Sequence, residues 1–169
     1  MSQLDRFRVA QDSSYSGFAS ALEELQAGRK RGHWIWYVFP QIKGLGMSGH
    51  SQTFALDGAE EAAEFLRDAE LRSRLLRITR VVAEQLRTGA TRSLLALMAS
   101  DIDARKVVSS LTLFLHVAKK LREVEGADAY DPIVDAADEV LVLAASQGYA
   151  PCSYTLKCIR EAAKRHRFS

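Results

Sequence analysis

The chain has 169 residues, of which 47% are hydrophobic and 26% are charged, a composition typical of one globular domain rather than a disordered or fibrous chain. Its 23 lysines and arginines nearly balance 21 aspartates and glutamates, so the net charge does not indicate nucleic acid or an anionic membrane as the main partner. No apolar run reaches the roughly 18 residues that cross a bilayer, and the first residues lack the apolar core of a secretory signal. The two cysteines, at positions 152 and 158, are expected to stay reduced, and we predict a cytoplasmic protein.

Apolar residues recur at helical spacing along most of the chain, and glycines or capping residues separate the segments. In chain order, the pattern predicts helices over residues 18–25, 58–66, 71–86, 94–98, 104–121, 132–144 and 153–163. The strongest pattern, from Ala104 to Leu121, is expected to form a central buried helix. The sequence therefore predicts an all-α fold of six to eight helices, a compact bundle in which residues 1–169 are one domain. Residues 164–169 are predicted to be a flexible basic tail.

Residues 33–41, with the sequence HWIWYVFPQ, are the exception to the helical pattern. Aromatic and β-branched residues dominate this run, and Pro40 forces Phe39 away from helical backbone angles. We predict an extended aromatic segment, with a short irregular turn of helix as the alternative.

The glycines at positions 44, 46 and 49 match the spacing G-x-G-x-x-G of dinucleotide-binding folds. That motif requires a βαβ unit in a parallel sheet, and the sequence offers no further strands. Two interpretations remain, a tight turn between elements or a stretch of approachable backbone N–H groups followed by a helix that begins at Ser48. Ligand spacings for zinc, nucleophile motifs and Walker motifs are absent from the sequence, so we predict no metal and no cofactor.

A row of polar residues lies beside the apolar face of the strongest predicted helix. Asp103 and Lys106 are three residues apart, and Ser109 or Ser110 follows three or four residues later, which places them on one side of the helix. Such a row is either a hydrogen-bond ladder between helices or one wall of a polar pocket.

These residues belong to a pattern that resembles the bacterial domain of unknown function family 1810. The resemblance covers residues 3–145 and is carried by the runs KRGHWIWYVFPQ at 30–41, GLGMS at 44–48 and DxxKxxSSLTLF at 103–114. It implies a compact, mainly helical fold and no established biochemical function. Some members carry the label calpastatin, to which we give no weight because such inhibitors are disordered, whereas this sequence has a core. Gly32 departs from the pattern, because the family typically has serine there.

The family pattern concentrates polar and aromatic residues in two segments, 30–51 and 103–114, a selection that core packing alone would not make. We predict that the segments meet across one cleft and bind a small anionic, nucleotide-like ligand. The predicted ligand-binding residues are Lys30, His33, Trp36, Phe39, Gln41, Gly44, Gly46, Ser48, Asp103, Lys106, Ser109 and Ser110.

If the protein is an enzyme, His33 and Asp103 are the candidates for acid/base catalysis, and glycosidic hydrolysis of a nucleotide-like substrate is conceivable. Two alternatives stay open at this point. The first is a protein-interaction module that uses the tryptophan-rich segment or the basic tail. The second is a purely structural polar ladder with no ligand.

Overall fold

The computed structural model describes residues 2–167, which contain ten α-helices and one 3-10 turn. The helices are α1 (Asp5–Gln11), α2 (Phe18–Gln26), α3 (Ile35–Val38), α4 (Gly49–Thr53), α5 (Gly58–Arg67), α6 (Ala69–Thr88), α7 (Leu94–Met98), α8 (Asp101–Glu125), α9 (Asp131–Ser146) and α10 (Ser153–Arg167). The 3-10 turn, Asp128–Tyr130, precedes α9. The predicted all-α class is confirmed.

The number of helices within residues 2–167 exceeds the expected six to eight because α1 was not predicted, and because α3 and α4 were each only one of two alternatives. These three helices have 7, 4 and 5 residues. A helix of two turns or fewer repeats its apolar face once at most, so the signal on which the prediction depends is weak there. The seven helices that were predicted are all present.

The central element is α8, which packs against α3, α5, α7, α9 and α10. Leu111 and Phe114 of this helix are fully buried. At its start, the hydroxyl of Ser100 accepts a hydrogen bond of 3.1 Å from the N–H of Asp103, and at its end Gly126 adopts a φ of +61°. A capping serine and a left-handed glycine therefore fix both ends of the helix, as the sequence indicated.

The aromatic segment at 33–41 contains α3, so the observed conformation is the turn of helix rather than an extended run. Backbone carbonyls of the segment gain partners from outside it, since Gln11 Nε2 donates to the carbonyl of Tyr37 at 2.8 Å. Trp34 and Phe39, on either side of α3, are fully buried and their ring centroids lie 6.5 Å apart. Burial of these rings favours the helical turn over the extended form that residue propensities alone favour.

A surface loop, Lys43–Thr53, follows the aromatic segment, and we call it the glycine loop. An isolated bridge between Ile42 and Leu56 closes its base through two hydrogen bonds of 2.9 Å. Its outer part makes little contact with the core: α4 has no buried residue and Met47 is 87% exposed. The loop is thus fixed at its base and weakly held at its tip.

At the C-terminus, α10 continues through Arg167, so the residues from 164 to 167 are helical. The flexibility predicted for 164–169 stays a prediction, and Phe168 and Ser169 lie outside the described residues. Every helix among the described residues is too short or too polar to cross a lipid bilayer.

Candidate functional site

A buried ion pair joins the two segments that carry the polar pattern. Lys30 is only 6% exposed, and its Nζ lies 2.9 Å from Oδ2 of Asp103 on α8. The same ammonium group donates to the carbonyl of Gly32 at 2.5 Å, and the backbone N–H of Lys30 donates to the carbonyl of Leu97 at 2.7 Å. These contacts hold Lys30 at the start of α8 and satisfy its charge inside the protein.

A second lysine shares the carboxylate of Asp103. Nζ of Lys106 lies 3.4 Å from Oδ1 of Asp103, a longer contact than that of Lys30. The Lys106 ammonium also lies 4.8 Å from the ring centroid of Trp36, within the range of a cation–π interaction. Two ammonium groups therefore share one carboxylate, and Lys106 is the less tightly paired of the two.

A further polar contact connects the segments at Gln41, whose side-chain N–H donates to the hydroxyl of Ser109. The Ser109 hydroxyl in turn donates to the carbonyl of Lys106 at 3.1 Å. Residues from both predicted segments thus meet along one side of α8, around Lys30, Asp103, Lys106, Gln41 and Ser109.

Beside this cluster, Trp36 forms a stacked pair with His50 of the glycine loop. The ring centroids lie 4.7 Å apart and the planes are inclined by 28°. Nε1 of Trp36 is buried and has no hydrogen-bond partner. A buried indole N–H without an acceptor is unfavourable, so this donor marks a place where a ligand acceptor would be stabilised.

Several predicted site residues lie outside the cluster. His33 is exposed, and among the side-chain contacts of residues 2–166 none joins its imidazole to the cluster. Phe39 is fully buried in the core, where it cannot wall a pocket, and the hydroxyl of Ser110 is buried without a partner. We therefore leave His33 and Phe39 out of the proposed site.

The predicted residues of the glycine loop, Gly44, Gly46 and Ser48, are exposed. The loop approaches the cluster through His50, which stacks on Trp36. Ser48 caps α4, which it was predicted to begin, and its hydroxyl accepts from the N–H of Ser51. Gly44 has a φ of +102°, and a Cβ there would lie 1.9 Å from the Tyr154 hydroxyl. That hydroxyl donates to the carbonyl of Lys43 at 3.1 Å. The glycine is therefore required by the close approach of α10, not by a phosphate.

Two residues of this region, His50 and Glu24, were not predicted from the sequence. No pattern in the sequence paired His50 with Trp36, because the pairing depends on how the glycine loop folds back. Glu24 accepts three hydrogen bonds, from the N–H groups of Arg31 and Gly32 and from Trp34 Nε1, at 2.7, 2.9 and 2.8 Å. From the sequence alone, Glu24 is indistinguishable from the other charged residues expected on the solvent face of α2.

Glu24 also explains the place of Gly32. A Cβ at Gly32 would lie 3.0 Å from Glu24 Oε1 and 3.2 Å from the Ser16 hydroxyl. The serine that the family typically carries at this position would thus lie beside Glu24.

Burial raises the pKa of Glu24, but the hydrogen bonds from Gly32, Arg31 and Trp34 and the charge of Lys30 outweigh it, so the pKa lies below its ordinary value. A carboxyl whose pKa is lower in the folded state contributes stability above its unfolded pKa and loses it as pH falls through the folded pKa. We expect Glu24→Gln to reduce the free energy of unfolding by about 1–2 kcal/mol at neutral pH. The difference from the wild type should shrink as pH falls below the ordinary glutamate pKa of about 4.3. It should vanish only below the lowered pKa of the folded state, where Glu24 is neutral in both states.

Urea denaturation of both proteins across this pH range measures the effect. Glu23→Gln is the matched control, because Glu23 is an exposed neighbour on the same helix. An equal loss in the two variants, or a difference that grows at low pH, would contradict the role of Glu24.

Two cavities of the described residues lie elsewhere on the surface. One, of about 430 Å³, is at the α7–α8 corner beside the end of α9, and the other, of about 540 Å³, is between α1 and Phe54. The polar cluster around Asp103 lines neither of them. Among the described residues, no group of three His, Cys, Asp or Glu side chains is arranged to hold a metal ion.

Comparison with known proteins identifies the family. A family model described as a protein of unknown function, DUF1810, matches residues 1–130. The chain belongs to the DUF1810 family. The match includes both polar segments and ends before α9.

A solved structure gives the same relationship at the level of the fold. The conserved hypothetical protein Rv1873 from Mycobacterium tuberculosis is 33% identical to this chain, with a TM-score of 0.70, and the alignment covers 92% of this chain and 94% of that one. No curated protein matches the sequence. The comparisons thus place the chain in DUF1810 and assign it no activity.

Proposed function

We propose that this DUF1810 protein binds a small anion with a planar group, such as a nucleotide, at Lys106 and at the face of Trp36 on which His50 stacks. The observation that carries the proposal is the sharing of one carboxylate by two ammonium groups. Lys30 has the shorter contact with Asp103 and is buried, so we assign it a structural role. Lys106 keeps donor capacity for an anionic group, because an ammonium has three donors and its contact with Asp103 is long.

The aromatic pair supplies the second half of the proposed site. A planar ligand group would pack on Trp36, where His50 now stacks at 4.7 Å, and a ligand acceptor would reach the unpartnered Nε1. This binding mode requires His50 to move away from Trp36. The exposed α4 and Met47 favour such a movement, because the tip of the glycine loop buries little surface.

Asp103 is poorly suited to acid/base catalysis in this arrangement. Its two oxygens each face an ammonium group, and these contacts occupy lone pairs that a general base would use. The proposal is therefore ligand binding, and Asp103 is the group that orients both lysines.

Replacing Lys106 with methionine tests the proposal, because it removes the ammonium and keeps the length and apolar stem of the side chain. We expect about tenfold weaker binding of AMP or ADP, as the loss of one charge-assisted hydrogen bond predicts. Isothermal titration calorimetry measures the affinity. Trp36→Leu should weaken binding by a similar factor.

Lys119→Met is the control, because Lys119 is an exposed lysine of the same helix outside the cluster. It should bind the nucleotide as the wild type does. Unchanged affinity in both lysine variants, or no heat with the wild type at millimolar nucleotide, would overturn the proposal and favour the structural ladder.

A further inference from the structure

The cavity of about 430 Å³ beside α7 lies outside the Asp103 cluster and has the size of a small-molecule site. Arg92 and Arg105 line it, together with one carboxylate, that of Asp101. Leu95 and Tyr149 supply apolar surface in the same wall, and Leu95 is 47% exposed. The lining thus combines an excess of positive charge with an uncovered apolar side.

Arg105 is held in place by groups of the cavity itself. Its Nε donates to Asp101 Oδ2 at 2.8 Å, and the other oxygen of that carboxylate accepts from the Tyr149 hydroxyl at 2.9 Å. The guanidinium centre lies 5.6 Å from the Tyr149 ring centroid. Because Asp101 uses Nε, the two terminal nitrogens of Arg105 remain for an anion, which a guanidinium can bind through two hydrogen bonds.

Arg92 is placed at the cavity by an unusual backbone conformation. Its φ is +50°, a left-handed value that non-glycine residues rarely adopt. The Gln147 side-chain amide stabilises this conformation with two hydrogen bonds. Its Nε2 donates to the carbonyl of Arg92 at 2.9 Å, and its Oε1 accepts from the N–H of Leu94 at 2.8 Å. Within residues 2–166, the guanidinium of Arg92 makes no hydrogen bond or ion pair. Arg92 is therefore held in a strained backbone conformation that places its unpaired guanidinium at the cavity.

We propose that this cavity is a second binding site, for a small organic anion with a carboxylate or phosphate group on a compact apolar body. Arg92 and the terminal nitrogens of Arg105 bind the anionic group. The apolar body packs on Leu95 and Tyr149. The residues of this site differ from those of the proposed nucleotide site. Each of the two proposals can therefore be tested independently of the other.

NMR titration of the protein tests the proposal with four probes: phenyl phosphate, benzoate, inorganic phosphate and neutral benzyl alcohol. The side-chain amide signals of Gln147 report on the cavity, since this amide lies in its wall. We expect phenyl phosphate or benzoate to shift these signals at lower concentration than either inorganic phosphate or benzyl alcohol does. Comparing the two aromatic anions distinguishes a phosphate ligand from a carboxylate ligand.

Arg92→Gln should weaken binding of the aromatic anion about tenfold or more, because it removes one of the two guanidinium groups. The variant should keep the thermal unfolding midpoint of the wild type, since the Arg92 side chain supports no other residue. Arg77→Gln, which neutralises an exposed guanidinium of α6, should leave binding unchanged, and so should Lys106→Met.

Several results would overturn the proposal. One is the absence of any shift at Gln147 with both aromatic anions at millimolar concentration. Equal affinity of Arg92→Gln and the wild type would exclude the role of Arg92. Binding of benzyl alcohol as tight as that of benzoate would exclude recognition of the charge.

Discussion

Asp103→Asn is expected to destabilise the fold by about 3–5 kcal/mol, the range for removing one partner of a buried ion pair. The substitution keeps the size of the side chain but leaves the ammonium of Lys30, which is 6% exposed, without its ion-pair partner. The amide oxygen of the new asparagine and the carbonyl of Gly32 can still accept hydrogen bonds from this ammonium, but neither carries a full negative charge. Urea denaturation at neutral pH measures the loss as a lower midpoint at an unchanged slope.

A control variant and a double mutant test whether the loss comes from the unpaired charge of Lys30. Glu139→Gln breaks an exposed ion pair between Glu139, which is 40% exposed, and Arg87, which is 53% exposed. It should reduce the free energy of unfolding by less than about 1 kcal/mol. Adding Lys30→Met to Asp103→Asn should recover much of the loss, because it removes the buried charge that the first substitution leaves unpaired. If Asp103→Asn were as mild as Glu139→Gln, the ion pair would not be important for folding.

Leu111→Ala should cost about 2–5 kcal/mol, the range for a truncated leucine in a closed core. None of the surface of Leu111 is accessible to solvent, and the residue lies in the middle of α8, against which five other α-helices pack. The neighbours cannot all relax toward the missing methyl groups, so a cavity remains. Thermal and urea denaturation both measure this change.

Val124→Ala is the matched control for Leu111→Ala, because Val124 belongs to the same helix and is 67% exposed. A truncation there should change the free energy of unfolding by no more than about 0.5 kcal/mol. Similar losses at both positions would mean that α8 is not the centre of the core.

The fold was largely predictable because long helices carry a repeated apolar pattern. The α8 helix, for example, shows that pattern from Ala104 to Leu121, with Ser100 and Gly126 marking its ends. The turn of helix at Ile35–Val38 was less predictable. Its residues favour extended backbone, and burial of Trp34 and Phe39 around it reverses that preference.

The candidate site was predictable only in part. Lys30, Asp103 and Lys106 were selected because the family pattern places charged residues in two segments, and such residues need partners when they are buried. They are in contact. His50 and Glu24 were missed because their positions depend on backbone geometry: a loop that folds back onto Trp36, and the N–H groups of Arg31 and Gly32 that converge on one carboxylate. His33 was included because of its neighbours in the sequence, but its side chain points to solvent.

The helix α9 has a consequence for how DUF1810 proteins should be dissected. The family match ends at residue 130, whereas the buried face of α9, with Ile133, Val140 and Ala144, packs against α6 and α8. A fragment trimmed to the matched stretch would expose the apolar sides of both helices to water, and exposed patches of that kind promote aggregation. The stretch that sequence comparison recognises is thus shorter than the set of helices that pack together.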